Sequence, residues 1–344
     1  MRTIKMMIAG TANPHIPAYL NGANRNVDMI EIVAVSDSDK KRLGTVKGIT
    51  TYRDYREMFD KHPEAEAVMI GSDNIDHYPM FLAAVEKKLH IYMMKVISMD
   101  EDECRSMIKI GNGYDRIVQC ELELHFNPQF QFARQLIQSG ELGELKSIYL
   151  TNISQSPCNY FPNWGDPVLS YGKRIPIRPG AKLFRGGAIT DHPHPYDLIR
   201  WLTGLEFCSV KAVSARNQRA HLVVEDHAAL TGELSNGIRY FINPSYSNLE
   251  EEIPCRRLIW PKSLECNLKI TGAKGYFACD YFDRHAYIAG NNCASPGRLI
   301  VDFAHRLKPK PANTLIGSFV ETIEGRRKRP ETTLKDSYEA VRVM

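Results

Sequence analysis

Short, nearly uniform apolar runs alternate with amphipathic stretches over the first third of the chain. The runs are "TIKMMIAG", "IEIVAVSD", "AEAVMIG", "HIYMM" and "RIVQCEL". Strands this apolar on both sides are those buried on both faces. Between them, "HYPMFLAAVEKKL" and "DEDECRSMIKIG" space their apolar residues as helices do, and a shorter helix over 17–20 follows the first run. Such alternation predicts a doubly wound parallel sheet with helices on both faces. From Glu123 the pattern changes. One helix, "NPQFQFARQLIQSGELGEL", leads into strands that turn back at 235–237 and 272–275. Strands joined by tight turns pair antiparallel, and such sheets can keep one face open. The expected class is α/β. A parallel-sheet domain spans 1–122, and an α+β domain with a large open, mainly antiparallel sheet spans 123–344.

Composition narrows the possible partners. A length of 344 residues exceeds what one core usually serves. A net charge of +4 is too mild to attract nucleic acid or a membrane surface. The basic run "EGRRKRPE" reads as a solvated loop. No apolar stretch approaches the ~20 residues of a membrane span. The eight cysteines are scattered without a C-x-x-C pair, which predicts reduced thiols in a cytoplasm.

Two segments carry chemistry. The first strand runs into "AGTANPHIPAYL", where the dinucleotide fingerprint G-x-G-x-x-G falls on Gly10, Ala12 and His15. Its glycines permit a tight turn and close approach of a diphosphate to a helix start. One glycine of three remains, so the turn alone fits an ordinary strand-to-helix connection better. Asp37, at the end of the second strand, adds weight. A carboxylate there accepts from the adenosine ribose hydroxyls and repels the 2′-phosphate of NADP, so NAD is expected ahead of NADP. The expected cofactor contacts are Gly10, Thr11, Ala12, Asn13, His15 and Asp37. The second segment is "GGAITDHPHPYDLIRWLTG" over 186–204. A helix cap explains Pro195, Asp197 and Gly204. It leaves Asp191, His192 and His194 unexplained. Two histidines at i, i+2 fit a metal site, with a further carboxylate from Asp191 or from "VVEDH" at 223–227. A histidine beside a carboxylate equally fits proton transfer to an alcohol or carbonyl oxygen.

Several segments together resemble the Gfo/Idh/MocA oxidoreductases. "AVMIGSDNIDHYPMFLAAVEKKLHIYMMKVISMDEDE" is similar to that family's third strand through its lysine motif, with Asn74, His77 and Lys95 in matching places. "HFNPQFQFARQLIQSGELGELKSI" resembles the helix and strand that open its second domain. "GGAITDHPHPYDLIRWLTG" resembles its active-site segment, with His194, Asp197 and Trp201 in register. Departures are specific. Met94 and Val96 stand where the family has Glu and a commonly cis Pro, and Thr190 stands where it has Asp, with Asp191 one residue later.

The resemblance implies an NAD(P)-dependent oxidoreductase that moves a hydride between nicotinamide and a secondary alcohol or ketone of a sugar, polyol or sugar acid. It implies His194 as general acid/base, Lys95 as electrostatic partner and Asp191 as orienter, with no metal. Ser72, Asn74, His77 and Lys95 join the cofactor contacts. His125, Trp164, Arg185 and Asp197 are the expected substrate contacts, the middle two from an aromatic and basic stretch over 156–187. A homo-oligomer, dimer or tetramer, is expected through the second domain's sheet. Two alternatives share the fold: an NAD-dependent glycosidase that oxidises transiently before eliminating, and a nucleotide-sensing binding protein with little turnover.

Overall fold

The computed structural model describes residues 2–13, 15–21, 29–154, 187–215, 225–246, 264–290, 297–303 and 314–343. They form two compact units. One holds the described residues up to Leu122 together with 314–339. The other holds those from Glu123 to 303 and the last few from Ala340.

The first unit is built on a parallel sheet. Its strands are β1 (Ile4–Ala9), β2 (Ile30–Ser36), β3 (Thr50–Tyr52), β4 (Ala67–Ile70), β5 (His90–Met93) and β6 (Val118–Cys120). Their spatial order is β3-β2-β1-β4-β5-β6, with every neighbouring pair parallel. The order reverses between β1 and β4, and ligands of such sheets bind beyond the carboxyl ends of the strands at that reversal. Connecting helices are α1 (Ile16–Leu20), α2 (Lys40–Leu43), α3 (Tyr55–Lys61), α4 (His77–Glu86) and α5 (Glu101–Asn112). Local chemistry fixes their starts. Asp39, Asp54 and Asp100 each accept a backbone N–H in the first turn of α2, α3 and α5. All four residues of β4 are buried, as its uniform apolar run requires.

The second unit carries α6 (Pro128–Gln138), β7 (Leu145–Ser154), α7 (Ala188–Asp191), α8 (His194–Thr203) and β8 (Lys211–Ala215). It continues through β9 (His227–Glu233), β10 (Arg239–Tyr246), β11 (Asn267–Gly272), β12 (Gly275–Asp280), β13 (His285–Gly290) and β14 (Leu299–Asp302). The sheet order is β14-β13-β12-β11-β7-β10-β9-β8, and β7 with β10 is the one parallel pair within it. The expected hairpins are β9–β10, turning at Gly237 with φ +83°, and β11–β12. Helices α6 and α8 pack together, and α8 lies against β7. Phe130, Leu198, Ile199 and Leu202 from these helices share a core with Ile148, Leu230, Tyr240 and Phe277 from the sheet. The other face of the sheet leaves Tyr149 48% and Val213 76% exposed.

After this sheet come α9 (Leu315–Ile323) and α10 (Leu334–Arg342). The described residues 314–339 group with the first unit, so the simple division into 1–122 and 123–344 does not describe the chain's end. Specific contacts fix this. Gln119 Nε2 donates to Leu315 O at 2.7 Å, the Phe319 ring lies 5.6 Å from that of Tyr92, and Tyr338 donates to Glu101 Oε1 at 3.0 Å.

Candidate functional site

Each unit gathers its own set of predicted residues. In the first, the turn after β1, the end of β2, the turn after β4 and the segment after β5 all leave the carboxyl edge of one parallel sheet. That edge therefore collects Gly10 to Asn13, His15, Asp37, Ser72 to Asn74 and Lys95.

Gly10 is required where it stands. Its φ is +83°, and a Cβ there would sit 2.4 Å from Ser72 Cα. The turn is held from below by Gly10 N donating to Ser36 O and Asn13 N donating to Gly71 O. Asp37 ties it from the side. Its Oδ2 accepts from Thr11 N and Thr11 Oγ1, each at 2.7 Å, and from Arg42 Nε at 3.0 Å. Oδ1 accepts from Asp39 N at 2.7 Å. These donors fill most of the roughly four lone-pair sites of a carboxylate. Asp37 thus fastens the turn as well as facing the edge, and a ribose hydroxyl would share or displace one of these donors. Arg42 also reaches Asp73, at 3.5 Å. Neither Arg42 nor its double pairing was foreseen, although a basic residue five positions after the acid was in plain view.

This turn fits a dinucleotide, because a glycine pressed against the β4 turn keeps the backbone low where a diphosphate needs room. Asp37→Ala is expected to weaken NAD binding about tenfold, roughly 1.4 kcal/mol, and to narrow the preference over NADP. Titration calorimetry with both nucleotides checks this, and unchanged NAD affinity would remove Asp37 from the site.

Lys95 follows β5. Residues 91–100 are buried except Lys95, which keeps partial exposure. The Lys95–Val96 peptide is cis, with valine in the place of the family's proline. His77 is fully buried, with Nδ1 2.8 Å from Val96 O and Nε2 3.2 Å from Ser72 O. Burial pushes its pKa down to about 4, so near neutral pH it is uncharged and its single N–H donates to one of these two carbonyl oxygens. Its link to the cofactor edge runs through the backbone it holds. Asn74 sits in a single 3-10 turn over Asn74–Asp76 and is buried.

In the second unit, α7 ends at Asp191, which is half-buried, and α8 begins three residues later at His194. Glu225 sets the start of α7, its Oε1 accepting from Gly187 N at 2.7 Å and Ile189 N at 3.1 Å. Its pKa is raised by burial. His192 Nδ1 lies 2.6 Å from Ala188 O, with the ring beside that of Tyr246. Among the described residues no three potential metal ligands gather. Asp197 and Trp201 follow His194 at i+3 and i+7, one face of α8. A 3-10 turn over Glu123–Phe126 meets that face.

Two acid–histidine pairs result. Glu123 Oε1 stands 3.6 Å from His194 Nε2, and His125 Nε2 stands 2.8 Å from Asp197 Oδ2. The second pair is sealed, with side chains 3% and 2% exposed. The His125 ring stacks on Trp201 at 4.5 Å, and the Arg134 guanidinium covers the same indole. Glu123 escaped the sequence reading, although the alternation in "CELELHF" sets Glu121, Glu123 and His125 on every second residue. Trp164 and Arg185 lie outside the described residues.

Comparison with known proteins agrees with both units. The family model described as "Oxidoreductase family, NAD-binding Rossmann fold" matches residues 4–122. The one described as "GFO/IDH/MocA C-terminal domain" matches 130–278. An uncharacterised oxidoreductase, YrbE of Bacillus subtilis, is 25% identical over 225 residues, 63% of this chain and 60% of that protein. Myo-inositol 2-dehydrogenase of Thermotoga maritima is 24% identical over 188 residues, 53% of this chain and 51% of that enzyme. The match thus spans little more than half of either relative's length. Among solved structures, levoglucosan dehydrogenase in complex with NADH and levoglucosan has a TM-score of 0.77 at 17% identity, over 99% of this chain and 95% of that one. An Agrobacterium radiobacter oxidoreductase in complex with NAD+, L-tartaric acid and magnesium has a TM-score of 0.75 at 18% identity, over 99% and 94%. At such identities these structures speak for the fold. With both of its domain models matched in order, the chain belongs to the Gfo/Idh/MocA oxidoreductase family, and its first unit is that family's NAD-binding Rossmann domain.

Proposed function

We propose that the chain is an NAD-dependent dehydrogenase acting on a secondary alcohol of a sugar, polyol or sugar acid. The observation that carries this reading is His194 at the head of α8, a nearly buried imidazole with a carboxylate 3.6 Å away, in a chain with an NAD-binding domain. When bound, NAD supplies the hydride acceptor or donor. The protein's share is to handle the proton and the charge. His194 takes the hydroxyl proton at Nε2, the nitrogen nearest Glu123 Oε1. At 3.6 Å the carboxylate is beyond hydrogen-bond length and acts through charge. Lys95, in the first unit, keeps the role that the family resemblance implies for it, that of electrostatic partner. Asp191, three residues before His194, orients the ring. His125 and Asp197, backed by Trp201, brace the face of α8 that begins at His194.

Relatives named for inositol, and structural neighbours whose complexes contain levoglucosan or tartaric acid, support the substrate class. Fold alone does not choose among such substrates. The test is reduction of NAD by the purified chain with a panel of polyols, sugars and sugar acids. Aglycone release without net NAD reduction would replace the reading with the eliminating glycosidase. Binding of NAD with no turnover on any substrate would replace it with the sensor.

The chain is further proposed to self-associate through the open face of its eight-stranded sheet, which carries stacked Tyr149 and Phe241 and, two strands away, exposed Val213. Sedimentation above the monomer mass is expected, and Tyr149→Glu should reduce it. Among the described residues no helix is long and apolar enough to cross a membrane.

A further inference from the structure

The diphosphate turn departs from its fingerprint at its third glycine, where this chain has His15. A glycine at that place serves close helix–strand packing, so an imidazole there needs a destination. It has one. His15 Nδ1 lies 2.9 Å from Oε1 of Glu121, the residue directly after β6. Glu121 is nearly sealed, its side chain 2% exposed, whereas that of His15 is 34% exposed. Tyr19 donates to the same Oε1 at 3.5 Å, and its hydroxyl meets that of Tyr92 at 2.9 Å. Glu121 Oε2 is buried and has no hydrogen-bond partner.

A carboxylate in that position is poorly compensated by one neutral hydroxyl at 3.5 Å. Among the described residues that contact it, His15 is the one that can carry positive charge. The pair therefore anchors the inner nitrogen on a carboxylate, while the ring stays partly open at the sheet's carboxyl edge. The helix after the turn is only five residues long, so aligned peptide dipoles contribute little there. Positive charge at this turn has to come from a side chain.

We propose that His15, held by buried Glu121, donates a charge-assisted hydrogen bond to the diphosphate of bound NAD. Glu121 acts through it as a positioning residue. The inference rests on the NAD-binding domain and not on the dehydrogenase reading, so loss of either leaves the other standing. A charged donor replaces some of what the missing glycines would have given through backbone approach.

The test is equilibrium binding of three probes, NAD+, ADP-ribose and adenosine, to the full chain and to His15→Gln and Glu121→Gln, with thermal melting of each unliganded protein. His15→Gln is expected to lose about tenfold in affinity for NAD+ and for ADP-ribose, which share the diphosphate, and to bind adenosine as before. Glu121→Gln should lose about threefold on the same two probes. Wild-type affinity for NAD+ in His15→Gln would overturn the proposal. So would an equal loss on all three probes, since that pattern marks a distorted turn rather than a missing phosphate contact. Should Glu121→Gln melt too low to assay, the His15→Gln comparison decides alone, because the His15 side chain is the more exposed of the two.

Discussion

His194→Ala is expected to lower turnover by about a hundred- to ten-thousand-fold, the range for removing a positioned general acid/base, while leaving the dissociation constant for NAD unchanged. The asymmetry follows from placement. His194 opens α8 in the second unit, and the NAD-binding turn, Asp37 and Lys95 all belong to the first. Steady-state NAD reduction on the best substrate, alongside calorimetric binding of NAD, separates the two effects. Glu123→Gln should act in the same direction but more weakly, because a carboxylate 3.6 Å away acts on the imidazole through charge without touching the reacting oxygen. A drop below tenfold for His194→Ala would show that the proton moves by another route, and the assignment would fall.

Asp197→Ala is expected to destabilise the second unit by about 3–5 kcal/mol, the cost of breaking a buried pair by removing one member. His125 and Asp197 are both nearly sealed from solvent at 2.8 Å, and Trp201 closes over the His125 ring. His125 would be left buried beside a void where its acceptor had been. Asp197 also sits in the first turn of α8, where a negative charge adds a few tenths of a kcal/mol or more. Urea unfolding of the purified variant measures the loss, and a change under about 1 kcal/mol would mean that water or a neighbour replaces the acceptor. Asp197→Asn preserves an acceptor and should cost less. If it folds well and raises KM without lowering kcat, Asp197 touches substrate too, as the sequence led us to expect.

The division between what was legible and what was not follows the range of the interactions involved. Alternation of apolar runs and helical patterns is local, and it marked β1, β2, β4, β5 and β6, the helices α1, α4 and α5 and both tight hairpins, while the four-residue α2 went unmarked. The short β3 and α3 were passed over, since a three-residue strand with two exposed positions carries almost no period. The glycine at the first turn and the acid after β2 were readable for the same local reason. Pairing partners were not. "CELELHF" shows three polar residues at period two, yet nothing in it says that Glu121 reaches His15 while Glu123 and His125 meet His194 and Asp197. Those contacts span 72 to 106 positions for the hydrogen-bonded pairs.

By itself, the sequence determined the two-sheet architecture and the identity of the helix that begins at His194, because each is written in local spacing, whereas the turn after β1 pointed to NAD only together with Asp37 and the family resemblance. Tertiary structure alone decided that α9 and the start of α10 return to the first unit, that Asp37 is held by Thr11 and Arg42, and which carboxylate faces which imidazole. The physical reason is that charge and hydrogen bonding act through space. A buried acid takes whichever partner the packing of strands and helices brings within about 3 Å, however far away that partner lies along the chain.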